Sequence, residues 1–359
     1  MPTYADGMNN HNRAIAIWLI IVAMLIYIMV ILGGVTRLTG SGLSMVEWDP
    51  IMGVIPPLTE QEWQDTFDKY KQFPEYQKIN QHMTLSDFKG IFYFEYSHRM
   101  LGRFIGLAFL IPFLIFYFKN YIRREMIPRL IVMFILGGLQ GVLGWFMVKS
   151  GLVDNPNVSQ YRLAAHFLAA ILIYSYILWF AWSLLYPNPQ NGWAPGISRL
   201  RRYSLWLLVL IVIMIVSGAF VAGTHAGALH KTFPDMSGHL IPPGLFDMTP
   251  LLLNFMENPS TIQFSHRLLA YIIIGFVTFV WWTSRNYTLT ASTRRAVHLT
   301  FAMMIIQVTL GISTLLSVPS EPLRGGVAVP LAASHQGGAL LLLTAVLFLN
   351  HALRRAKAL

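Results

Sequence analysis

Eight long apolar runs constrain the fold of this chain more than any other feature of its sequence. Each run holds about 20 residues or more, which is enough to cross the hydrocarbon core of a bilayer as an α-helix. The chain is 55% hydrophobic and only 12% charged, whereas about a quarter of the residues in a soluble domain are charged. The sequence therefore predicts an all-α membrane protein with eight transmembrane helices. The runs cover residues 14–36, 96–118, 128–148, 161–185, 203–224, 263–284, 297–317 and 331–352.

Lysine and arginine are concentrated in alternate connections between these runs. Arg123, Arg201 and Arg294 belong to basic connections, while the connection 37–95 holds nine acidic residues against five lysines and arginines. By the positive-inside rule, both termini are predicted to face the cytoplasm and the connections 37–95 and 225–262 to face outward. The net charge of +10 is therefore a topology signal and does not indicate a nucleic acid partner. The first run is too long for a signal-peptide core and predicts a retained anchor.

The two halves of the chain resemble each other. A shift of 185 residues aligns four positions without a gap, and a shift of 167 to 169 residues aligns three more, because the connection 37–95 is longer than its counterpart. A repeat of four helices keeps its orientation in the membrane, so the sequence predicts two parallel-duplicated four-helix bundles, at 1–190 and 191–359. The aligned pairs are Gly33 and Gly218, Gly42 and Gly227, Gly53 and Gly238, Pro57 and Pro242, His98 and His266, Gln140 and Gln307, and His166 and His335.

The first outer connection contains a helix-start signal. Thr59 is followed by Glu62, a pattern typical of a helix N-terminus, and Trp63, Phe67 and Tyr70 fall on one side of the helix that would follow. The second outer connection is richer in glycine and proline and is predicted to be less regular. Both connections are expected to cover the outer end of the helices.

Four histidines fall where predicted helices enter the membrane from the outside, at a depth where an unpaired imidazole is costly. His98 and His166 lie 68 residues apart, and His266 and His335 lie 69 apart. Each is predicted to lie in the first turns of its helix, near the outer face. Two imidazoles from neighbouring helices can bind a haem iron from both sides. The pattern therefore predicts two bis-histidine haem sites.

Two other interpretations of the histidines are open at this point. A membrane histidine can serve as a hydrogen-bonding or interfacial residue, and a zinc or copper ion is the alternative metal. Such an ion prefers further Cys, Asp or Glu ligands, and only Glu95 lies near a pair. The chain has no cysteine, which excludes disulfides, thiolate chemistry and iron–sulfur clusters held by this chain.

Glu95 is the clearest chemical difference between the halves. It precedes His98 by three residues and therefore shares a helix face with it, whereas Gln263 stands at the matching position before His266. A carboxylate there can take a proton or stabilise positive charge on a substrate. The alternative is an ordinary carboxylate at a helix start, favoured by the helix dipole.

Arginines follow two of the histidines directly. Arg99 and Arg267 are predicted either to bind haem propionates through their planar guanidinium groups or to extend to lipid headgroups. Arg37 and Arg103 are weaker candidates for the same contacts.

Further polar and small residues accompany the histidines. Gln140 and Gln307 are predicted to make interhelical hydrogen bonds, and the ridge Gly137, Gly141 and Gly144 to allow close helix packing; a haem-facing role for the glutamines is the alternative. Three histidines without counterparts in the first half are either solvated loop residues or a peripheral metal site. They are His225, His230 and His239.

Together these motifs resemble the haem A synthase family, whose members make haem A for terminal oxidases. The resemblance rests on residues 33–44 (GGVTRLTGSGLS), 95–99 (EYSHR) and 264–267 (FSHR), with His166 and His335 as the partner ligands. It extends over most of the chain and looks most like the mitochondrial and alphaproteobacterial branch. Some bacterial members carry cysteine pairs in their outer loops, so any thiol-dependent step of theirs cannot apply to this cysteine-free chain.

The resemblance implies an enzyme that oxidises a ring methyl of haem O to a formyl group, by successive hydroxylations and loss of water. It implies that His266 and His335 bind a haem b cofactor and that His98 and His166 bind the iron of haem O. It also implies that Glu95 is the catalytic carboxylate. The expected location is the inner (cytoplasmic) membrane, and the expected partners are haem O synthase, an electron carrier and a second copy of the chain.

Two other functions fit parts of the pattern. A di-haem cytochrome b, transferring electrons for instance to quinone, predicts two equally retained haem b groups and no special role for Glu95. A transporter predicts broken helices with polar groups at mid-membrane. An iron with two histidine ligands has no free axial position for oxygen. In an oxidoreductase the cofactor haem is therefore expected to relay electrons while the substrate haem is oxidised at its periphery.

Overall fold

The computed structural model describes residues 4–47, 52–152, 156–188, 196–318 and 328–354. Eight helices in this part of the chain are long and apolar enough to cross a membrane, which confirms the prediction of an all-α, multi-pass membrane protein. Three shorter helices, α2 (Glu60–Tyr70), α3 (Pro74–Lys78) and α8 (Asn254–Glu257), lie in the connections. The membrane helices are α1 (Tyr4–Leu38), α4 (Leu85–Phe118), α5 (Ile127–Lys149), α6 (Gln160–Leu185), α7 (Ile197–Gly223), α9 (Pro259–Ser284), α10 (Ala291–Leu316) and α11 (Ala328–Ala352).

Helix α4 begins well before the apolar run that predicted it. The run starts at residue 96, but the helix starts at Leu85, where Thr84 and Asp87 form a reciprocal capping box. This cap satisfies backbone N–H groups that would otherwise have no partner. The first outer connection is correspondingly shorter than predicted, and α4 extends beyond the apolar segment on the outer side.

The four membrane helices of each half pack in corresponding pairs. In the first half, α1 and α5 each pack against both α4 and α6. In the second half, α7 and α10 each pack against both α9 and α11. The duplication, and a division between residues 190 and 191, which lie outside the described residues, stay predictions.

The two halves meet through α1 and α6 on one side and α7 and α11 on the other. Val30, Leu207 and Leu340 are buried together in an apolar cluster at this junction. Within the membrane such contacts stabilise through close packing and interhelical hydrogen bonds. The Tyr174 hydroxyl lies 2.8 Å from Thr344 Oγ1 across the junction.

An aromatic cluster covers the outer end of the first half. Trp63, Phe67 and Tyr70 on α2 are buried against Phe88 and Phe92 on α4, which confirms that they share one side of a short helix. The α2 helix is closed by a capping box between Thr59 and Glu62. Hydrogen bonds from the backbone N–H groups of Leu58 and Thr59 lower the pKa of the Glu62 carboxyl. The cluster attaches the first outer connection firmly to α4, directly above Glu95.

Candidate functional site

The four histidines lie on four different membrane helices, two in each half: His98 on α4, His166 on α6, His266 on α9 and His335 on α11. Three of them lie within about two turns of the helix start, as predicted. The prediction is wrong for His98, because α4 begins at Leu85 and His98 lies more than three turns further along. Within each half the two helices that carry the histidines pack against the same two neighbouring helices.

Each imidazole lies against a glycine of a neighbouring helix. An added Cβ atom at Gly33 would lie only 2.9 Å from His98 Nε2, and one at Gly311 only 2.8 Å from His335 Cε1. Real Cβ atoms do not approach other atoms so closely, so a larger residue would displace the ring. The other two pairs are looser: an added Cβ would lie 3.2 Å from His166 Cε1 at Gly144 and 3.3 Å from His266 Cε1 at Gly218.

A glutamine contacts the second histidine of each pair. Gln140 Nε2 donates to the His166 carbonyl oxygen at 2.8 Å and lies 3.1 Å from its Nδ1. Gln307 repeats both contacts with His335, at 2.9 and 3.1 Å. The predicted interhelical hydrogen bonds are therefore confirmed. The ridge prediction holds only for Gly144, because Gly137 and Gly141 have open space where a side chain would begin.

The surroundings of the histidines fit a haem held by two imidazoles. Both glutamines leave a buried Oε1 atom without a hydrogen-bond partner among the described residues, and an unsatisfied buried polar atom of this kind is typical of a site that a further group completes. The facing glycines allow close approach of helix and ligand. The described residues contain no group of three or more His, Cys, Asp or Glu side chains suited to a metal ion. The zinc or copper alternative therefore has no ligand set among them.

Glu95 is buried, with 3% of its surface exposed, and every contact on its carboxylate comes from the first outer connection or from its own helix. Its Oε2 accepts hydrogen bonds from Ser44 Oγ and from the Met45 backbone N–H, both at 2.8 Å. Its Oε1 forms an ion pair with Arg99 at 2.6 Å. Arg99 also donates to the Met45 carbonyl oxygen at 2.7 Å. The pair therefore holds the backbone of residue 45 against α4.

The second half holds its outer connection in the same way with an uncharged side chain. Gln263 Oε1 accepts from the His230 backbone N–H at 3.2 Å, and its Nε2 donates to the His230 carbonyl oxygen at 2.8 Å. Arg267 donates to the same carbonyl oxygen at 2.8 Å. Met45 and His230 are equivalent under the 185-residue shift. The two outer connections are thus attached at matching backbone positions.

Comparison of the sequence with known proteins identifies the family to which the chain belongs. The family model described as "Cytochrome oxidase assembly protein" matches residues 16–347. The chain is 49% identical to the heme A synthase of Nitrosospira multiformis, over 99% of this chain and 98% of that protein. It is 46% identical to that of Parvibaculum lavamentivorans over 96% of both chains. It is 44% identical to that of Arabidopsis thaliana over 97% of this chain and 76% of that protein.

The chain belongs to the haem A synthase family. These relatives support the function implied by the sequence motifs and not the di-haem cytochrome or transporter alternatives. The family includes bacterial and eukaryotic members at similar identity to this chain.

The arginines of this haem A synthase family member bind protein carbonyl groups. Arg267 donates to the Thr232 and Asp235 carbonyl oxygens at 2.9 Å each, and Arg99 donates to that of Glu47 at 3.1 Å. These contacts attach the outer connections to α9 and α4. Contacts of Arg99 and Arg267 with haem propionates stay a prediction.

The two weaker arginine candidates differ from each other. Arg37, at the end of α1, donates to the carbonyl oxygen of Ala222 near the end of α7 and so joins the two halves at the ends of these helices. Ala222 is the residue equivalent to Arg37 under the 185-residue shift. Arg103 Nη1 lies 4.0 Å from Met100 Sδ on the same helix.

The loop histidines of the second half have structural contacts. His230 Nδ1 lies 3.0 Å from Ser237 Oγ, and His239 pairs with Met236 through the backbone. Burial lowers the pKa values of His225 and His230, with further contributions from Arg37 and Arg267 respectively. The peripheral metal site gains no support, because these histidines belong to no ligand cluster of three among the described residues.

Sequence reasoning missed the glycine partners of the histidines and the backbone positions held by Glu95 and Gln263. A signal for the first was present, since Gly33 and Gly218 align in the repeat, as do Gly144 and Gly311. No sequence signal existed for the backbone positions held by Glu95 and Gln263. The three-dimensional path of each connection determines which of its backbone atoms contact the helix.

Proposed function

We propose that the chain is a membrane-bound haem A synthase that oxidises a ring methyl of haem O to a formyl group. One observation carries the proposal: two histidine pairs with matching glycine and glutamine contacts occur in a chain 49% identical to a heme A synthase. The reaction proceeds by successive hydroxylations of the methyl group and loss of water from the resulting diol.

The two histidine pairs have different tasks in this proposal. His266 and His335 hold a resident haem b, and His98 and His166 hold the iron of the substrate, haem O. The assignment is supported by the position of Glu95 one turn before His98, since no carboxylate stands before His266. When bound, haem b supplies one-electron transfer.

Glu95 acts on the substrate side. Its carboxylate, one turn from His98, accepts a proton released from the methyl carbon or hydroxyl group and stabilises positive charge developing there. Arg99, paired with it at 2.6 Å, holds the carboxylate in place on the same helix face. The surrounding aromatic cluster and the attached outer connection limit access of water from the outer face.

The electron balance defines the partner that the reaction needs. Written with water as the oxygen source, a methyl group plus one water gives a formyl group, four protons and four electrons. An electron carrier must therefore accept four electrons for each haem A formed. The further partners in this proposal are haem O synthase, as the source of substrate, and a second copy of the chain.

Haem analysis tests the proposal. The chain is expressed in cells with and without a co-expressed haem O synthase, purified, and its haems are extracted and identified. We expect haem b in both preparations and haem A only where haem O is supplied. Two equivalents of haem b per chain under both conditions, without haem A, would instead establish the di-haem cytochrome.

The proposed location is the inner membrane, with both termini in the cytoplasm and the histidine pairs near the outer face. The basic connections support this orientation. Reporter fusions at Lys119 and at Ser237 should give opposite signals, because the two positions lie on opposite sides of the membrane in this topology. Like signals at both positions would contradict it.

A further inference from the structure

The first histidine of each pair has a different neighbour in the two halves. His266 Nδ1 lies 3.1 Å from the hydroxyl oxygen of Ser217 on α7. Ser217 directly precedes Gly218, the glycine that faces the same imidazole. A single helix segment therefore supplies both the space for the ring and a hydrogen-bond partner for one of its nitrogens.

The first half lacks this partner. Leu32 stands at the position equivalent to Ser217, directly before Gly33, and its side chain cannot form a hydrogen bond. Within the part of the chain that the structure describes, the His98 imidazole makes no hydrogen bond to another side chain or to the backbone. The rings also present different atoms to their glycines: Nε2 of His98 is nearest to Gly33, and Cε1 of His266 is nearest to Gly218.

The second histidine of each pair does not share this difference. Gln140 contacts His166 and Gln307 contacts His335 through the same atoms, with Nε2–Nδ1 distances of 3.1 Å in both halves. Gln140 Nε2 lies in addition 3.4 Å from His166 Nε2, but the main difference in hydrogen bonding is between His98 and His266.

A histidine that binds a metal through Nε2 carries its proton on Nδ1 and almost always donates it to a fixed acceptor. That acceptor holds the ring in the ligating tautomer and makes the imidazole a stronger ligand. We propose that Ser217 is a positioning residue that retains the haem of the second half through His266. The leucine at position 32 correspondingly leaves His98 a weaker ligand, so that a haem bound in the first half can exchange.

This inference rests on the proposed function, which requires one haem to stay and the other to enter and leave. The contact between the glutamine and the second histidine is the same in both halves, so the cause of a difference in retention is sought at the first histidine. Such a cause is the residue that precedes the facing glycine, which is Ser217 in the second half and Leu32 in the first. Loss of an outer partner of a metal ligand typically weakens metal binding about 10- to 100-fold.

The test measures haem loss and redox potential in the purified, haem-loaded protein. Transfer of haem b to excess apomyoglobin gives the dissociation rate, and a spectroscopic redox titration gives the midpoint potential. For Ser217→Ala we expect haem b to dissociate about 10- to 100-fold faster. The midpoint potential should shift to a more positive value, because a less basic imidazole stabilises ferric iron less.

Three matched variants separate the hydrogen bond from packing. Ser217→Thr keeps the hydroxyl group and should retain haem b at close to the parent rate. Leu32→Ala removes bulk at the equivalent position without removing a hydrogen bond and should leave haem b dissociation unchanged. Leu32→Ser creates the missing partner and should slow the release of haem from the first half.

Failure of this inference can be distinguished from failure of the proposed function. If His266→Ala abolishes the low-spin haem b spectrum but Ser217→Ala changes neither the dissociation rate nor the potential, Ser217 has no positioning role and the proposed function is unaffected. If His266→Ala keeps that spectrum, the ligand assignment itself is wrong. Equal effects of Ser217→Ala and Ser217→Thr would also overturn the inference, because packing alone would then explain them.

Discussion

The outer connections of the two halves are attached to their helices by equivalent residues of different charge. In the first half the carboxylate of Glu95, paired with Arg99, holds the backbone at Met45. In the second half the neutral Gln263 holds the backbone at His230, and Arg267 binds the same carbonyl oxygen. The attachment therefore does not require a negative charge.

This comparison separates two roles of Glu95. Holding the connection explains why a polar side chain with hydrogen-bond acceptors occupies the position in both halves. It does not explain why the first half uses a carboxylate, because burying a charged pair carries a desolvation penalty that an amide avoids. The charge itself is therefore the part of Glu95 best explained by chemistry on the substrate.

The largest expected effect separates the histidine pairs. His266→Ala should abolish the low-spin haem b spectrum, because the iron loses one of two strong-field imidazole ligands. His98→Ala should keep that spectrum and abolish haem A formation. Optical spectra of the purified variants and analysis of extracted haems measure both outcomes. Unchanged low-spin spectra in both His266→Ala and His335→Ala would exclude these residues as ligands.

The next effect concerns the charge of Glu95. Glu95→Gln recreates beside Arg99 the glutamine–arginine arrangement that already holds the second half, so the connection should stay attached. Haem A production should fall at least about tenfold, a conservative bound because loss of an acid–base or electrostatic group typically costs about 100-fold or more, while haem b content is unchanged. Haem O or a hydroxylated intermediate should accumulate in extracted haems.

The control for Glu95→Gln is the opposite exchange in the second half. Gln263→Glu places a carboxylate beside Arg267, and we expect the ratio of haem products to remain that of the parent. If Glu95→Gln makes haem A at the parent rate, Glu95 serves only to attach the outer connection.

A smaller effect should follow from filling the space beside a histidine that is proposed to bind haem iron. Gly311→Ala adds a Cβ atom 2.8 Å from His335 Cε1, and the displaced ring should weaken haem b binding by about 1–3 kcal/mol, or roughly 5- to 150-fold. Gly275→Ala is the control in the same half, because its Cβ would meet nothing within 4 Å. Haem dissociation rates distinguish the two, and equal rates would show that the ring can move without loss.

The smallest effect concerns the aromatic cluster that covers the end of the first half, whose helix α2 has 11 residues, whereas α8 in the second outer connection has four. Thr59→Ala removes the cap of α2 and should cost about 1 kcal/mol of local stability. Limited proteolysis of the first outer connection should accelerate about fivefold, because cleavage requires local opening. Thr66→Ala, on the same helix but bonded only to Glu62 within it, should not change the cleavage rate.

The sequence predicted those features that the bilayer or local chemistry determines. The apolar runs predicted the eight membrane helices because a helix must be long and apolar to cross the hydrocarbon core. Thr59 predicted the start of α2 because its capping contacts are made with residues close in sequence. The start of α4 was missed because residues 85–95 lie outside the apolar run and are stabilised by packing against α2. The partners of Arg99 could not be predicted, since they are carbonyl groups of a connection far away in sequence.

The order of translation affects how the two haem sites are completed. All the ligands of the first half, and the glycines that face them, lie between residues 33 and 166, whereas those of the second half extend from 218 to 335. In the proposed assignment, the substrate site can therefore assemble during synthesis while the helices of the cofactor site are still being made. The cofactor would be bound by both of its histidines only after α11 has entered the membrane. Loading of haem b would then be a late event in biogenesis, and a newly inserted chain would become active only once that step is complete.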